Sequence, residues 1–327
     1  MTATTTQATA PRAPIPRRSS SAVQTYGLAG VIVAVFCLFA VINPAMIKVD
    51  NLENIVSAVS LIGIMAVLST FVILTGGIDL SVGAIMGLSG LLAQGVLGPS
   101  NTSTIIAVGV AVLSGAAVGL VNGTVIARFG LPAIVVTLGS MTIVRGIALL
   151  IGGGSQRAVD GPPWFLKIGG SRLLGLPLPV HLFVLVALIG WALQASTRFG
   201  FSVFAIGENV RAARLCGLPV ARVKTLVYIL SGVGGGLAGV ILSSQTHTAT
   251  AVYGTGYELN VIAAVVVGGT SLFGGRGSVM RSVLGTLLIG VINNGLNIIN
   301  VPIAPQLVAQ GIVIVVAVAV DQRLRRL

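Results

Sequence analysis

The sequence predicts an all-helical, polytopic membrane protein with about ten transmembrane helices, and three observations carry that prediction. Its 327 residues are 55% hydrophobic and only 8% charged, whereas soluble domains average about 25% charged residues. Apolar runs of roughly 20 residues, the length that spans a bilayer as a helix, recur along almost the whole chain. The Lys and Arg residues fall between those runs, with Arg145 inside one as the exception.

Residues 1–24 are rich in Thr, Ala, Pro and Ser and lack periodicity, so a disordered cytoplasmic tail is expected there, with residues 25–327 forming one transmembrane domain. Arg17 and Arg18 precede an apolar run as in a signal peptide. That run is long enough to span and lacks a small-residue cleavage site, which predicts a retained first helix. Spans are expected at 26–46, 57–75, 81–97, 104–127, 132–152, 180–195, 225–243, 258–270, 282–299 and 302–320. With the N-terminus inside, only Lys48, Arg157, Lys167 and Arg172 lie outside, so the bias of positive charge predicts cytoplasmic N- and C-termini. The formal charge of +12 therefore reports orientation. No basic stripe interleaved with aromatics points to nucleic acid, and no Cys/His spacing points to a metal. Cys37 and Cys216, in an apolar run and a basic loop, are expected to be free thiols.

The stretch LTGGIDLSVG interrupts this apolar background with two glycines and an acid. A charge at the centre of a membrane helix costs roughly 2.5–3.5 kcal/mol, so it calls for a use. GIDLSVGA, residues 77–84, is echoed by GYELNVIA, residues 256–263, which pairs Asp79 with Glu258 and Ser81 with Asn260. The copies sit five spans apart, and an odd offset reverses direction through the membrane, the mark of an inverted repeat of five helices. The stretch SQTHTATAVYGT before the second copy has no counterpart before the first.

Two uses compete for Asp79: capping the third span, and lining a polar constriction for a hydroxylated solute. The same pair of uses applies to Glu258. Arg145 could snorkel or pair with a carboxylate such as Asp79. Asn122, Asn293 and Asn294 could line a lumen or bond between helices. With Gly76, Gly77, Ser81 and Asn260, these residues form the candidate substrate pathway. The Pro/Gly-rich loop 152–179, with Trp164 and Phe165, is either a docking site for an extracytoplasmic partner or a solvated loop with interfacial aromatics.

Three stretches in order, LTGGIDLSVGAIMGL, GENVRAARLCGLPVARVKTLVYILSGVGGGLAGVI and GYELNVIAAVVVGGTSLFGGRGSVMRSVLGTLLIGVINNGL, closely resemble the permease subunits of ribose-type sugar ATP-binding-cassette (ABC) importers, from about Tyr26 to the C-terminus. The resemblance implies a permease in the bacterial cytoplasmic membrane, homodimeric or paired with a similar permease. It also implies an ATPase subunit that holds ATP and Mg, and a soluble binding protein that delivers sugar. It further implies that Gly207, Glu208, Asn209, Arg211, Ala212, Ala213 and Gly217 form the coupling segment for the ATPase. In the wider importer pattern an acid precedes the two alanines; here Arg211 stands in its place. The chain contains no phosphate-binding P-loop, so no cofactor of its own and no enzymatic activity are expected. The rival reading is an ion-coupled secondary transporter or channel, for which Asp79, Glu258 and Arg145 are the coupling candidates.

Overall fold

Among the residues that the computed structural model describes, 19–326, eight helices are long and apolar enough to cross a bilayer and two more are apolar but short. The expected disordered tail lies outside the described residues as far as residue 18, and helix begins already at Ser19. The first half comprises α1 (Ser19–Ile42), a 3-10 turn at Pro44–Ile47, α2 (Val49–Leu74), α3 (Val82–Val96), α4 (Asn101–Phe129) and α5 (Ala133–Gly152). A loop follows with β1 (Arg157–Ala158), α6 (Pro163–Gly170), β2 (Arg172–Leu173) and β3 (Leu176–Pro177). The second half comprises α7 (Leu178–Ser196), α8 (Arg198–Glu208), α9 (Val210–Leu215), α10 (Val220–Thr246), β4 (Thr248–Ala249), α11 (Tyr257–Val267), α12 (Val279–Ile298) and α13 (Ile303–Arg326).

All ten expected spans are therefore helices, but α3 and α11 are not full spans. At 1.5 Å per residue, the 15 residues of α3 reach about 22 Å and the 11 of α11 about 16 Å, against a hydrocarbon core of about 30 Å. Each short helix begins within one copy of the repeated motif.

Two ends of the bundle are set by its loops. At one end Arg172 of β2 pairs with Glu53 near the start of α2, and Gly169 of α6 packs on Gln245 near the end of α10. This is the hairpin end. At the other, Gly207 of α8 packs on Leu74 at the end of α2, and α10 begins just after α9. This is the α9 end. So α2 and α10 run in opposite directions. Likewise α3 rises to Leu91 against Gly152 at the hairpin end, while α11 descends to Gly268 against Arg281 at the start of α12.

The packing repeats with this inversion: α10 lies against α2, α3 and α4, while α2 lies against α10, α11 and α12. In the same way α3 packs on α4 and α5, and α11 on α12 and α13. Helix α1 and helix α7 break the symmetry, since both join the α2–α12 side. The five-helix inverted repeat read from eight positions is thus present in the helix packing.

The core centres on α2, buried continuously from Val59 to Leu74, which fits its being apolar on every face. The closest seam joins α4 and α10. Gly115 faces Gly232, Gly119 faces the Tyr228 carbonyl, Gly123 faces Thr225 and Gly236 faces Ala111. A Cβ at any of these glycines would strike backbone of the other helix. Small residues every fourth position let two membrane helices pack on dispersion contacts, because lipid supplies no hydrophobic drive between them.

Candidate functional site

The first break occupies residues 75–81. Helix α2 stops because Gly76 takes a left-handed conformation (φ +74°). Its N–H donates to Ile73 O at 2.9 Å and that of Gly77 to Val72 O at 3.0 Å, the paired bonds of a Schellman motif. These bonds occupy carbonyls that lipid could not satisfy. Asp79 Oδ1 then accepts from the Ser81 N–H at 2.9 Å and the Ser81 hydroxyl at 2.6 Å. Asn122 of α4 donates to Ser81 Oγ at 2.9 Å, and Thr137 of α5 donates to the Ile78 carbonyl at 3.1 Å. On the α10 side the polar neighbours of Asp79 are Ser231 and Tyr228, neither of which sequence reading had singled out. Asp79, Ser81 and Asn122 are at most 3% exposed, so this network is closed.

Asp79 is therefore a cap of an unusual kind. It grips Ser81, the residue at the cap position of α3, rather than the free N–H groups one turn further in.

The second break occupies residues 247–256, the stretch without a counterpart in the first. After α10 the chain pairs β4 with β1, then folds back into the bundle through Gly254 (φ +76°) and Gly256 (φ +82°) before α11 begins. Arg145 of α5 donates to the carbonyls of Ala251 and, at 2.7 Å, Tyr253. It does not pair with Asp79, contrary to one expectation. Irregular backbone at depth leaves carbonyls without partners, and a guanidinium with five donors satisfies two at once. Glu258 Oε1 accepts from the Gly256 N–H at 3.2 Å. Asn260 donates to the Gly256 carbonyl at 3.3 Å and accepts from Asn293 of α12 at 3.2 Å. Asn294, one position on, points elsewhere and exchanges two hydrogen bonds with Asn51 at the hairpin end, outside this group.

Helix α3, into which the first break leads, packs against the second break. A Cβ on Gly83 would run into the Gly254 carbonyl and Glu258 Oε2, and one on Gly87 would crowd the Ala251 and Tyr253 carbonyls and Arg145. The candidate pathway residues thus form two clusters, Gly76, Gly77, Asp79, Ser81 and Asn122 on one side and Arg145, Glu258, Asn260 and Asn293 on the other. Gly83 and Gly254 form the contact between them.

The segment expected to couple to an ATPase is two helices rather than one. Helix α8 ends at Glu208, and the Asn209 side chain starts α9 by accepting from the Arg211 and Ala212 N–H groups, both at 3.0 Å. Helix α9 ends in a second Schellman motif, with Gly217 left-handed (φ +76°) and Leu218 N–H bonded to Ala213 O at 3.1 Å. Ala213 is buried in its own chain and Ala212 is exposed, so only Ala212 offers a small surface outward. Gly207 lies where Leu74 and the loop before α12 converge, and Gly275 N–H donates to Leu74 O at 2.9 Å. Gly207 and the end of α2, from which the first break starts, are therefore in direct backbone contact. Glu208 pairs with Arg276 at 3.7 Å across the same junction.

In the loop at the hairpin end, Phe165 is buried and Trp164 exposed. Ser244 of α10 bonds to the Phe165 carbonyl at 2.6 Å, and β1 pairs directly with the start of the second break. The loop is thus anchored beside that break through Val159 and Phe165, while most of its residues are exposed.

The family profile described as branched-chain amino acid transport system / permease component matches residues 51–318. The ribose import permease protein of Bacillus subtilis (strain 168) is 41% identical over 287 residues, covering 88% of this chain and 89% of that protein. The L-arabinose ABC transporter permease protein of Azospirillum brasilense is 34% identical over 311 residues (94% and 91%), and the D-allose transport system permease protein of Escherichia coli (strain K12) is 36% identical over 299 (91% of each). No solved structure matches the chain.

Proposed function

This chain belongs to the family of branched-chain amino acid transport system permease components, and we infer that it forms the membrane path of an ABC importer for a monosaccharide or related polyol. The relatives decide for sugar over amino acid: the ribose, arabinose and allose permeases each align over about nine-tenths of the chain. The protein is a multi-pass protein of the inner membrane. Its energy comes from a separate ATPase subunit that holds ATP and Mg, and an extracytoplasmic binding protein brings the sugar. Two permease chains, identical or similar, stand side by side. The bias of Lys and Arg toward one side supports an orientation in which the α9 end and both termini face the cytoplasm.

The contact of α8 with Leu74 carries the mechanistic reading. A shift of α8 and α9 as the ATPases close displaces Gly207 and Gly275 against the Leu74 carbonyl, and hence the Gly76–Gly77 stop of α2. That stop leads directly into Asp79 and Ser81, which hold α3, and α3 carries Gly83 against Gly254. Movement at the coupling segment thereby separates the two breaks and opens the polar interior, a gating step rather than a chemical one. The ion-coupled reading has less support, since Arg145, Glu258 and Asp79 are each engaged with backbone of a break.

Reconstituted vesicles provide the test. The chain with its ATPase and loaded binding protein should accumulate sugar only when ATP is supplied, and the chain alone should move none. Uptake by the chain alone under an ion gradient would overturn the importer reading.

A further inference from the structure

The outward face of α9 is cationic, and nothing among the described residues neutralises it. The two ion pairs among the described residues are Arg172 with Glu53 and Arg276 with Glu208, so no described acid pairs with Arg211 or Arg214. Residues three apart are neighbours on a helix, and like charges in that relation oppose each other. Arg214 also faces Lys224, and with Arg222 it lines a cleft of about 300 Å³ beside the first turn of α10. Glu208, the nearest acid in sequence, is already engaged with Arg276.

This face is also preformed. Asn209 fixes one end of α9 and the Schellman motif at Gly217 the other. Because Ala213 points into the chain, Arg211 and Leu215, four apart, form the ridge on the opposite side. Leu215 is 89% exposed. The ridge is thus a single apolar knob with guanidinium groups beside it.

We propose that the surface receiving α9 is a groove with carboxylates on its rim and an apolar floor for Leu215. On the importer reading, which this inference presupposes, that groove belongs to the ATPase subunit. The charge match then selects a partner of opposite polarity to one built for an acidic coupling helix. Like charges set face to face across an interface reject wrong partners, so Arg211 acts as a specificity residue for subunit pairing. A bilayer of anionic lipid fits less well. An interfacial helix buries a broad apolar face among acyl chains with its cations at the edges. In α9 the inward Ala213 packs on the protein, and Leu215 alone is left for lipid.

The test measures binding of the ATPase subunit to the full-length permease in nanodiscs at several ionic strengths. Wild-type affinity should fall as salt rises. The Arg211→Gln/Arg214→Gln double variant should bind about tenfold more weakly at low salt with a flatter salt dependence. Arg211→Glu/Arg214→Glu should bind more weakly still, and the corresponding double Lys variant should regain most of the affinity. Equal affinity and equal salt slopes for wild type and both reversed and neutral variants would overturn the inference while leaving the importer reading intact. So would variants that lose affinity only for vesicles rich in anionic lipid. A wild-type chain that recruits no ATPase at any salt would overturn the importer reading and this inference with it.

Discussion

The two breaks share a sequence skeleton and are held by opposite means. In the first, Asp79 reaches forward two residues to Ser81, and the chain closes on itself within seven residues. In the second, Glu258, one methylene longer, reaches back two residues to Gly256, and the carbonyls upstream depend on Arg145 from another helix. The first centres on a carboxylate of its own loop and is tied to the α9 end; the second relies on a guanidinium more than 100 positions away and is tied to the hairpin end. The first break carries its own carboxylate, to which Asn122 of α4 and Thr137 of α5 add single hydrogen bonds at Ser81 and Ile78. The second, beside the loop at the hairpin end, takes its main donor from α5, so its integrity depends on how α5 packs.

Five substitutions at four positions test that contrast. The largest effect is expected at the contact itself. Gly83→Val places side-chain atoms into the Gly254 carbonyl, and it should lower stability by about 3 kcal/mol and abolish uptake, read by thermal unfolding and vesicle transport. Normal uptake in this variant would show that the two breaks do not bear on each other.

Next comes Arg145→Met, which keeps bulk but removes the donors to Ala251 and Tyr253. A loss of about 2–3 kcal/mol is expected, with faster hydrogen exchange confined to residues 247–256. Equal loosening of residues 75–81 would erase the distinction between local and borrowed support. Smaller still is Asp79→Ala, which should cost about 1 kcal/mol, whereas Asp79→Asn keeps an acceptor for Ser81 and should fold and transport nearly normally. If both variants fold but neither transports, Asp79 contacts solute rather than only holding α3. The smallest change is Glu258→Gln. It retains an oxygen for the Gly256 N–H at 3.2 Å and should shift stability by under about 0.5 kcal/mol. A loss as large as that of Arg145→Met would mean that the second break rests on the acid and not on the arginine.

Much of this architecture was legible in residue order. The helix stop at Gly76 and Gly77 and the one at Gly217 follow from the left-handed conformation that glycine adopts without strain, a local property. The spacing Gly115, Gly119, Gly123 announces a close helix contact, though only the structure supplies its partner, Gly232 and its neighbours in α10. Asn293 and Asn294 looked alike as candidates for the pathway. One residue turns a helix by about 100°, which sends the first to Asn260 and the second to Asn51.

Arg145 marks the limit of that legibility. Its acceptors are backbone carbonyls more than 100 positions away, and a carbonyl is the same at every residue, so composition carries no trace of the pairing. Ala212 and Ala213 show the same limit, since which of two adjacent alanines faces a partner depends on how α9 lies against α8 and α10. By itself the sequence determined the membrane class, the ten apolar helices, their inverted repetition and the places where helices stop, because these follow from hydrophobic length and local backbone preference. Only the tertiary structure decided that α3 meets the second break at Gly83 and Gly254, and that Gly207 touches the end of α2. Those facts depend on where long-range packing brings featureless backbone together.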